Sequence, residues 1–252
     1  MDIEGSTALV TGANRGIGEG FVRALVEAGA RHVYVGARDP ANAAALVAEF
    51  PGRASAVRLD ITEPDQVAAA AAACGDVSIL INNAGAFLNR RLIAADDLSA
   101  AREEMEVNYF GTLAMCRAFA PILARNGGGA IANVLSAGGI AASPAMGGYS
   151  PSKFAARAAT TCIRGELAAQ NTQVVALIVG SVDTRMAAHV AGAKERPIDI
   201  ARAGLGAIRR GVDELDTDIM AMEVRANLQR DPKALERGMA RMLTAQVIST
   251  GR

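Results

Sequence analysis

Short apolar runs rich in β-branched residues alternate with Ala-rich segments of helical period along the whole chain, and this alternation is the strongest constraint on its fold. Ser6–Val10, His32–Val35, Ala56–Leu59, Val77–Ile81, Ala130–Leu135 and Gln173–Val179 read as strands. Gly16–Gly29, a segment near Ala41–Phe50, Pro64–Cys74, a long stretch from about Leu98 to Arg125, Tyr149–Ala169 and Pro197–Arg210 read as the helices between and after them. Asp216–Met222 reads as a last strand and Pro232–Leu243 as a last helix. Strands joined through helices pair in parallel, and a parallel sheet needs helices on both faces. The expectation is an α/β fold, a doubly wound parallel sheet of about seven strands in a single domain spanning 1–252. No linker, repeat or low-complexity tract interrupts it, and 252 residues suffice for one domain with a sizeable core.

Charge and cysteine usage narrow the function. Lys plus Arg and Asp plus Glu both number 26, so net charge is zero and the sequence pI is about 6.8, which argues against a nucleic-acid or anionic-membrane partner. Met1-Asp2-Ile3-Glu4 lacks the apolar segment of a signal peptide, and no apolar run reaches the roughly 18 residues of a membrane span. Cys74, Cys116 and Cys162 stand without metal-ligand spacing and read as small buried residues in a reducing compartment. His32 and His189 alone supply a His-based metal site or catalytic triad poorly. The reading is a cytoplasmic protein without a metal.

Ligands of doubly wound sheets bind beyond the carboxyl ends of the strands. The first strand runs into Thr11-Gly12-Ala13-Asn14-Arg15-Gly16-Ile17-Gly18, with glycines spaced Gly-x-x-x-Gly-x-Gly at the start of a helix. Such glycines allow a tight turn and a close approach of backbone to a pyrophosphate at the helix N-terminus. At the end of the second strand, an NAD enzyme places a carboxylate to hold the adenosine ribose. Here that place falls at Ala37, and Arg38 follows. With Arg15 in the glycine loop, two guanidiniums suit a 2′-phosphate, which favours NADP(H). A register slip of two residues would put Asp39 there instead and return the preference to NAD.

Tyr149 and Lys153 stand four apart, one helical turn, so they share a face. A phenol has a reference pKa of about 10, and a nearby ammonium favours its ionised form. A phenol tuned in this way exchanges a proton with a reacting oxygen.

Together these residues resemble the short-chain dehydrogenase/reductase family, in the branch of about this chain length, from Ser6 to about Thr184. Thr11–Gly18 matches the family's Thr-Gly-x-x-x-Gly-x-Gly cofactor loop, and Asn82-Asn83-Ala84-Gly85 matches its Asn-Asn-Ala-Gly run. Asn108, Ser136, Tyr149 and Lys153 match its catalytic tetrad, with Ser136 lying 13 residues before Tyr149. The resemblance implies a Rossmann-type fold and a reversible oxidoreductase, reducing a ketone or aldehyde with NADPH. Tyr149 would be the acid in reduction and the base in oxidation, with its pKa lowered by Lys153, which also holds the nicotinamide ribose. Ser136 would hydrogen-bond the carbonyl oxygen, and Asn108 would hold a water linking Lys153 to solvent. For the cofactor, the resemblance implies contacts from Gly12, Asn14, Arg15, Gly16, Ile17, Gly18, Arg38, Asp60, Ile61, Asn83, Ala84, Gly85, Tyr149, Lys153, Gly180, Val182 and Thr184.

Departures from the family pattern carry expectations of their own. Val179-Gly180 stands where relatives have Pro-Gly, which suggests a looser loop. Residues 185–197, opening with Met186, Ala187, Ala188, His189 and Val190, occupy the place of a mobile substrate lid. Gly138, Gly139, Ala142, Met146 and Gly147 favour a modest apolar carbonyl compound. Arg185, Lys194 and Arg196 are candidates for an anionic handle. The Gly-rich final strand of many relatives is missing and residues 230–252 form a polar tail, which weakens the common tetramer; a homodimer or homotetramer is still expected. Two other classes compete. A non-catalytic dinucleotide sensor would not need the Tyr-Lys pair, and a sugar-nucleotide epimerase or dehydratase would be longer, with a different glycine spacing. Within the enzyme class the nearest alternative is an NADH-linked reductase.

Overall fold

A computed structural model describes residues 1–188 and 192–250. Its strands are β1 (Thr7–Val10), β2 (His32–Ala37), β3 (Ala54–Arg58), β4 (Ile79–Asn82), β5 (Gly129–Val134), β6 (Thr172–Ile178) and β7 (Glu214–Asp216). They form one sheet in the order β3-β2-β1-β4-β5-β6-β7, parallel throughout. The α-helices are α1 (Gly16–Glu27), α2 (Ala44–Ala48), α3 (Pro64–Ala73), α4 (Ser99–Met105), α5 (Thr112–Arg125), α6 (Tyr149–Leu167), α7 (Pro197–Arg210), α8 (Ile219–Arg230) and α9 (Pro232–Thr250). This is the single doubly wound domain expected from the alternation of elements.

The central strands are apolar on both faces because both are covered. In β1, Ala8 and Val10 join one core with Phe21 and Leu25 of α1 and Ile200, Leu205 and Ile208 of α7. Leu9, pointing the other way, joins the opposite core with Val67 of α3, Met115 and Phe119 of α5 and Ile163 of α6. Strand order reverses between β1 and β4, so the loops after these two strands flank the crevice where such sheets bind ligands.

Two elements differ from the sequence reading. The long helix from about Leu98 to Arg125 contains a π-helical turn at Glu106–Gly111 between α4 and α5. The period of apolar residues does not register one extra residue in a turn, and such turns recur at functional positions. The last strand is Glu214–Asp216 rather than Asp216–Met222. Asp218 caps α8, its carboxylate accepting the Ala221 N–H at 3.0 Å. The Ile-Met-Ala-Met run imitates strand alternation, but the cap commits it to a helix. Arg157 of α6 and Arg225 of α8 both pair with Glu214, at 2.8 and 2.7 Å, and so fasten the edge strand.

Candidate active site

Thr11 closes the crevice between β1 and β4. Its hydroxyl accepts the Asn83 and Ala84 N–H groups at 2.9 and 3.0 Å, while the Asn83 amide donates to the Thr11 and Gly12 carbonyls at 2.9 and 3.1 Å. Gly12 and Gly16 have φ of +60° and +57°, a left-handed backbone that favours glycine. A Cβ on Gly18 would collide with the Gly12 carbonyl and lie 2.6 Å from the Asn83 amide. The N-cap residue of α1, Arg15, makes no side-chain cap, so the first-turn N–H groups remain for an anion. This bare-backbone cradle fits a dinucleotide pyrophosphate. Asn14 and Ile17 lie within it, both half-buried.

At the adenosine end, β2 terminates at Ala37, which is buried. Arg15 and Arg38 are exposed, and neither has an ion-pair partner among the described residues. The Asp39 carboxylate accepts the Ala41 N–H at 3.0 Å, capping the short turn at Pro40–Ala43. After β3, Asp60 Oδ1 accepts the backbone and hydroxyl of Thr62 at 3.1 and 2.7 Å, and Ile61 is buried beneath.

The tetrad residues converge past the carboxyl ends of β4 and β5. Ser136 follows β5 and its Oγ accepts the Gly138 N–H at 3.1 Å. Tyr149 opens α6, and Lys153 one turn on puts its Nζ 5.7 Å from the Tyr149 ring centre. The Lys153 ammonium donates to the Val134 carbonyl at 3.0 Å, and burial pushes its pKa down to about 8. Burial raises the Tyr149 phenol, with Ser136 opposing through a hydrogen bond and the Glu104 charge adding to the rise. The sequence reading had Lys153 lowering Tyr149. In this geometry desolvation by burial is the largest cause, and it raises the phenol. Asn108, 1% exposed, donates to the Ala86 carbonyl and Ser152 hydroxyl and accepts the Ala86 N–H, all at 2.9 Å. Both of its amide donors are thus taken by protein, and it fixes the segment after Gly85 beside Lys153.

The loop after β6 reaches back over the glycine cradle. A Cβ on Gly16 would lie 3.2 Å from Thr184 Cγ2. Val182 is buried and bridges to Glu195, which bonds Ser181 and Asp183 at 2.9 and 2.8 Å and so closes the base of the 185–194 excursion. His189, Val190 and Ala191 lie outside the described residues. Arg196 is engaged by Asp199 at 2.6 and 2.8 Å and is not free as an anionic handle. The loop at Val179 is tethered at two points. The Val179 carbonyl accepts the Ala137 N–H at 2.8 Å, and the buried Asp218 carboxylate accepts the Gly180 N–H at 2.7 Å. Sequence reasoning missed Asp218 because it stood in a stretch read as strand; the signal was an N-cap Asp ahead of a helical run. It also passed over Phe87, whose ring meets Tyr149 edge-on at 5.2 Å, and the wholly buried Glu104. Among the described residues no group of three or more His, Cys, Asp or Glu could hold a metal, and no helix is long and apolar enough to cross a membrane.

The chain belongs to the short-chain dehydrogenase/reductase family: the short chain dehydrogenase family model matches residues 6–195. A 3-alpha-(or 20-beta)-hydroxysteroid dehydrogenase of Mycobacterium tuberculosis is 35% identical over 206 residues, covering 80% of this chain and 76% of that protein. A short chain dehydrogenase from Burkholderia cenocepacia J2315 in complex with NADP superposes with a TM-score of 0.89 at 43% identity, over 95% of this chain and 99% of that one. A 7 alpha-hydroxysteroid dehydrogenase complexed with NADH and 7-oxo glycochenodeoxycholic acid superposes with a TM-score of 0.77 at 28% identity, over 82% and 88%. The protein is accordingly an oxidoreductase of a family that works with a nicotinamide dinucleotide and small-molecule substrates.

Proposed function

We propose that the protein is an NADPH-dependent reductase of ketones or aldehydes, reversible as an alcohol dehydrogenase, with Tyr149 as its acid/base. The observation that carries this reading is the convergence of Ser136, Tyr149 and Lys153 at the mouth of the crevice that Gly12, Gly16 and Gly18 line.

In this reading Gly12–Gly18 and the start of α1 hold the pyrophosphate. Asp60 and Ile61 meet the adenine, and Asn83, Ala84 and Gly85 line the ribose side. Gly180, Val182 and Thr184 meet the nicotinamide end. Ala37 leaves no carboxylate to repel a 2′-phosphate, and Arg15 and Arg38 are free to receive it. Asp39 spends one carboxylate oxygen on the turn that follows, accepting the Ala41 N–H. Bound there, the nicotinamide supplies the hydride. Ser136 offers its hydroxyl to the carbonyl oxygen where negative charge develops. Tyr149, its pKa raised by burial, keeps its proton at neutral pH and is poised to give it to that oxygen. Lys153 orients the ribose and supports the phenolate left behind, and Asn108 fixes the backbone on which a replenishing water would bind.

A homodimer or homotetramer accords with an apolar groove of about 600 Å³ between α5 and α6, lined by Tyr109, Leu113, Ala158 and Cys162. Nearby Phe110 and Phe154 are 50% and 38% exposed. Three free cysteines suit a reducing, cytoplasmic setting.

The test is loss of nicotinamide absorbance with NADPH and NADH side by side against a panel of aldehydes and ketones. Turnover with NADPH that disappears in Tyr149→Phe, while NADPH still quenches or shifts fluorescence on binding, is expected. Tight NADPH binding without turnover of any carbonyl compound would point to a sensor instead.

A further inference from the structure

Two side chains of one helical face grip one extended segment. Asn108 takes the N–H and the carbonyl of Ala86, each at 2.9 Å. Four residues earlier, Glu104 Oε1 accepts the Leu88 N–H at 2.7 Å. One helical turn on α4 and its π-helical continuation thus matches two residues of extended chain. Phe87 lies between the two gripped residues and meets the Tyr149 ring at 5.2 Å.

Glu104 is 0% exposed, and its second oxygen has no hydrogen-bond partner. That oxygen faces the start of α6: a Cβ on Gly148 would lie 2.7 Å from it. A buried carboxyl with a free oxygen is costly. An apolar residue would fill the space at lower cost but would leave the Leu88 N–H unsatisfied. The segment beyond Leu88 also rests on the turn that leads into α6, since a Cβ on Gly147 would collide with the Arg90 carbonyl. Residues 86–90 therefore form a wall beside Tyr149 whose position depends on what Glu104 holds.

We propose that Glu104 is a positioning residue: by holding the Leu88 amide it sets Phe87 against Tyr149 and fixes the wall that a substituent of the carbonyl substrate meets. The inference rests on the reductase reading, but its structural half is measurable without turnover. Glu104→Ala is expected to raise KM for a carbonyl substrate about tenfold, with the Kd for NADPH changed less than about threefold. Glu104→Gln, which keeps an acceptor, restores KM. Where Glu104→Ala does not fold, Glu104→Met fills the space without an acceptor and carries the same expectation. An unchanged KM, or a KM and an NADPH Kd that rise together, overturns the proposal. Amide hydrogen exchange decides the matter if no carbonyl compound is turned over at all. Exchange in the peptide containing Ala86–Leu88 must accelerate in the Ala or Met variant and return to the wild-type rate in Glu104→Gln. Equal exchange in all variants sinks the inference, whereas absent turnover in wild type with accelerated exchange sinks only the reductase reading.

Discussion

Lys153 is a candidate site residue whose charged form is disfavoured by its surroundings. Burial depresses its pKa from 10.5 to about 8. The unfolded chain therefore binds this proton more tightly than the folded one between those values, and stability gained from this site rises with pH across that window. Below pH 8 both states carry the proton and the folded protein bears the whole cost, about 3 kcal/mol for a shift of this size. Lys153→Met should accordingly be stabilised relative to wild type at pH 7, with the advantage shrinking by pH 10. Urea unfolding of the two proteins at both pH values checks this, and a difference independent of pH would remove the argument. Arg38 offers a second test. Arg38→Asp exchanges a free guanidinium for a carboxylate that repels a 2′-phosphate. It is expected to reverse the preference between NADPH and NADH, read as the ratio of kcat/KM for the two. An unchanged ratio would mean that Arg38 does not face the ribose.

At the scale of elements, the loop after β6 is held by an element distant in sequence. Asp218 caps α8 through Ala221 and accepts the Gly180 N–H with its other oxygen. Asp218→Ala is expected to cost 1–3 kcal/mol of stability, the order of a buried hydrogen-bonded carboxylate's loss, and to weaken NADPH binding several-fold. Fluorescence titration measures the binding, and unimpaired affinity would show that the loop keeps its shape without the tether. This contact marks where the sequence stopped being legible. Strands β1 to β6 could be read because each is a short apolar run between helices, and the glycine loop because its spacing is local. Ser136, Tyr149 and Lys153 could be read because they lie within one stretch of chain. Asp218 and Gly180, 38 residues apart, meet only through the fold. Glu104 was hidden differently: an acidic residue in the run Arg102-Glu103-Glu104 looks solvated, and only the packing of α4 on α6 shows it buried. The π-helical turn at Asn108 leaves no periodic trace at all.

For the whole molecule, the arrangement puts the glycine loop at the carboxyl edge of the sheet and the apolar α5–α6 groove on a side face. If two copies bury that groove against each other, a charge planted there should separate them. Ala158 is exposed on α6, and Ala158→Arg is expected to yield a monomer with its secondary structure intact, measured by light scattering and circular dichroism. An unchanged mass in the variant would place any assembly interface elsewhere. The tether at Asp218 bears on how this chain can be recombined. The last fifth of such a protein looks interchangeable, since it lies outside the glycine loop, the Tyr-Lys pair and the loop after β6. Here it is not: a chimera that took its C-terminal segment from a relative without an acceptor at position 218 would keep the glycine loop and the Tyr-Lys pair but leave the Gly180 loop without its anchor. Transplanted tails for this scaffold must therefore bring that carboxylate with them, or restore to position 179 a residue that stiffens the turn on its own.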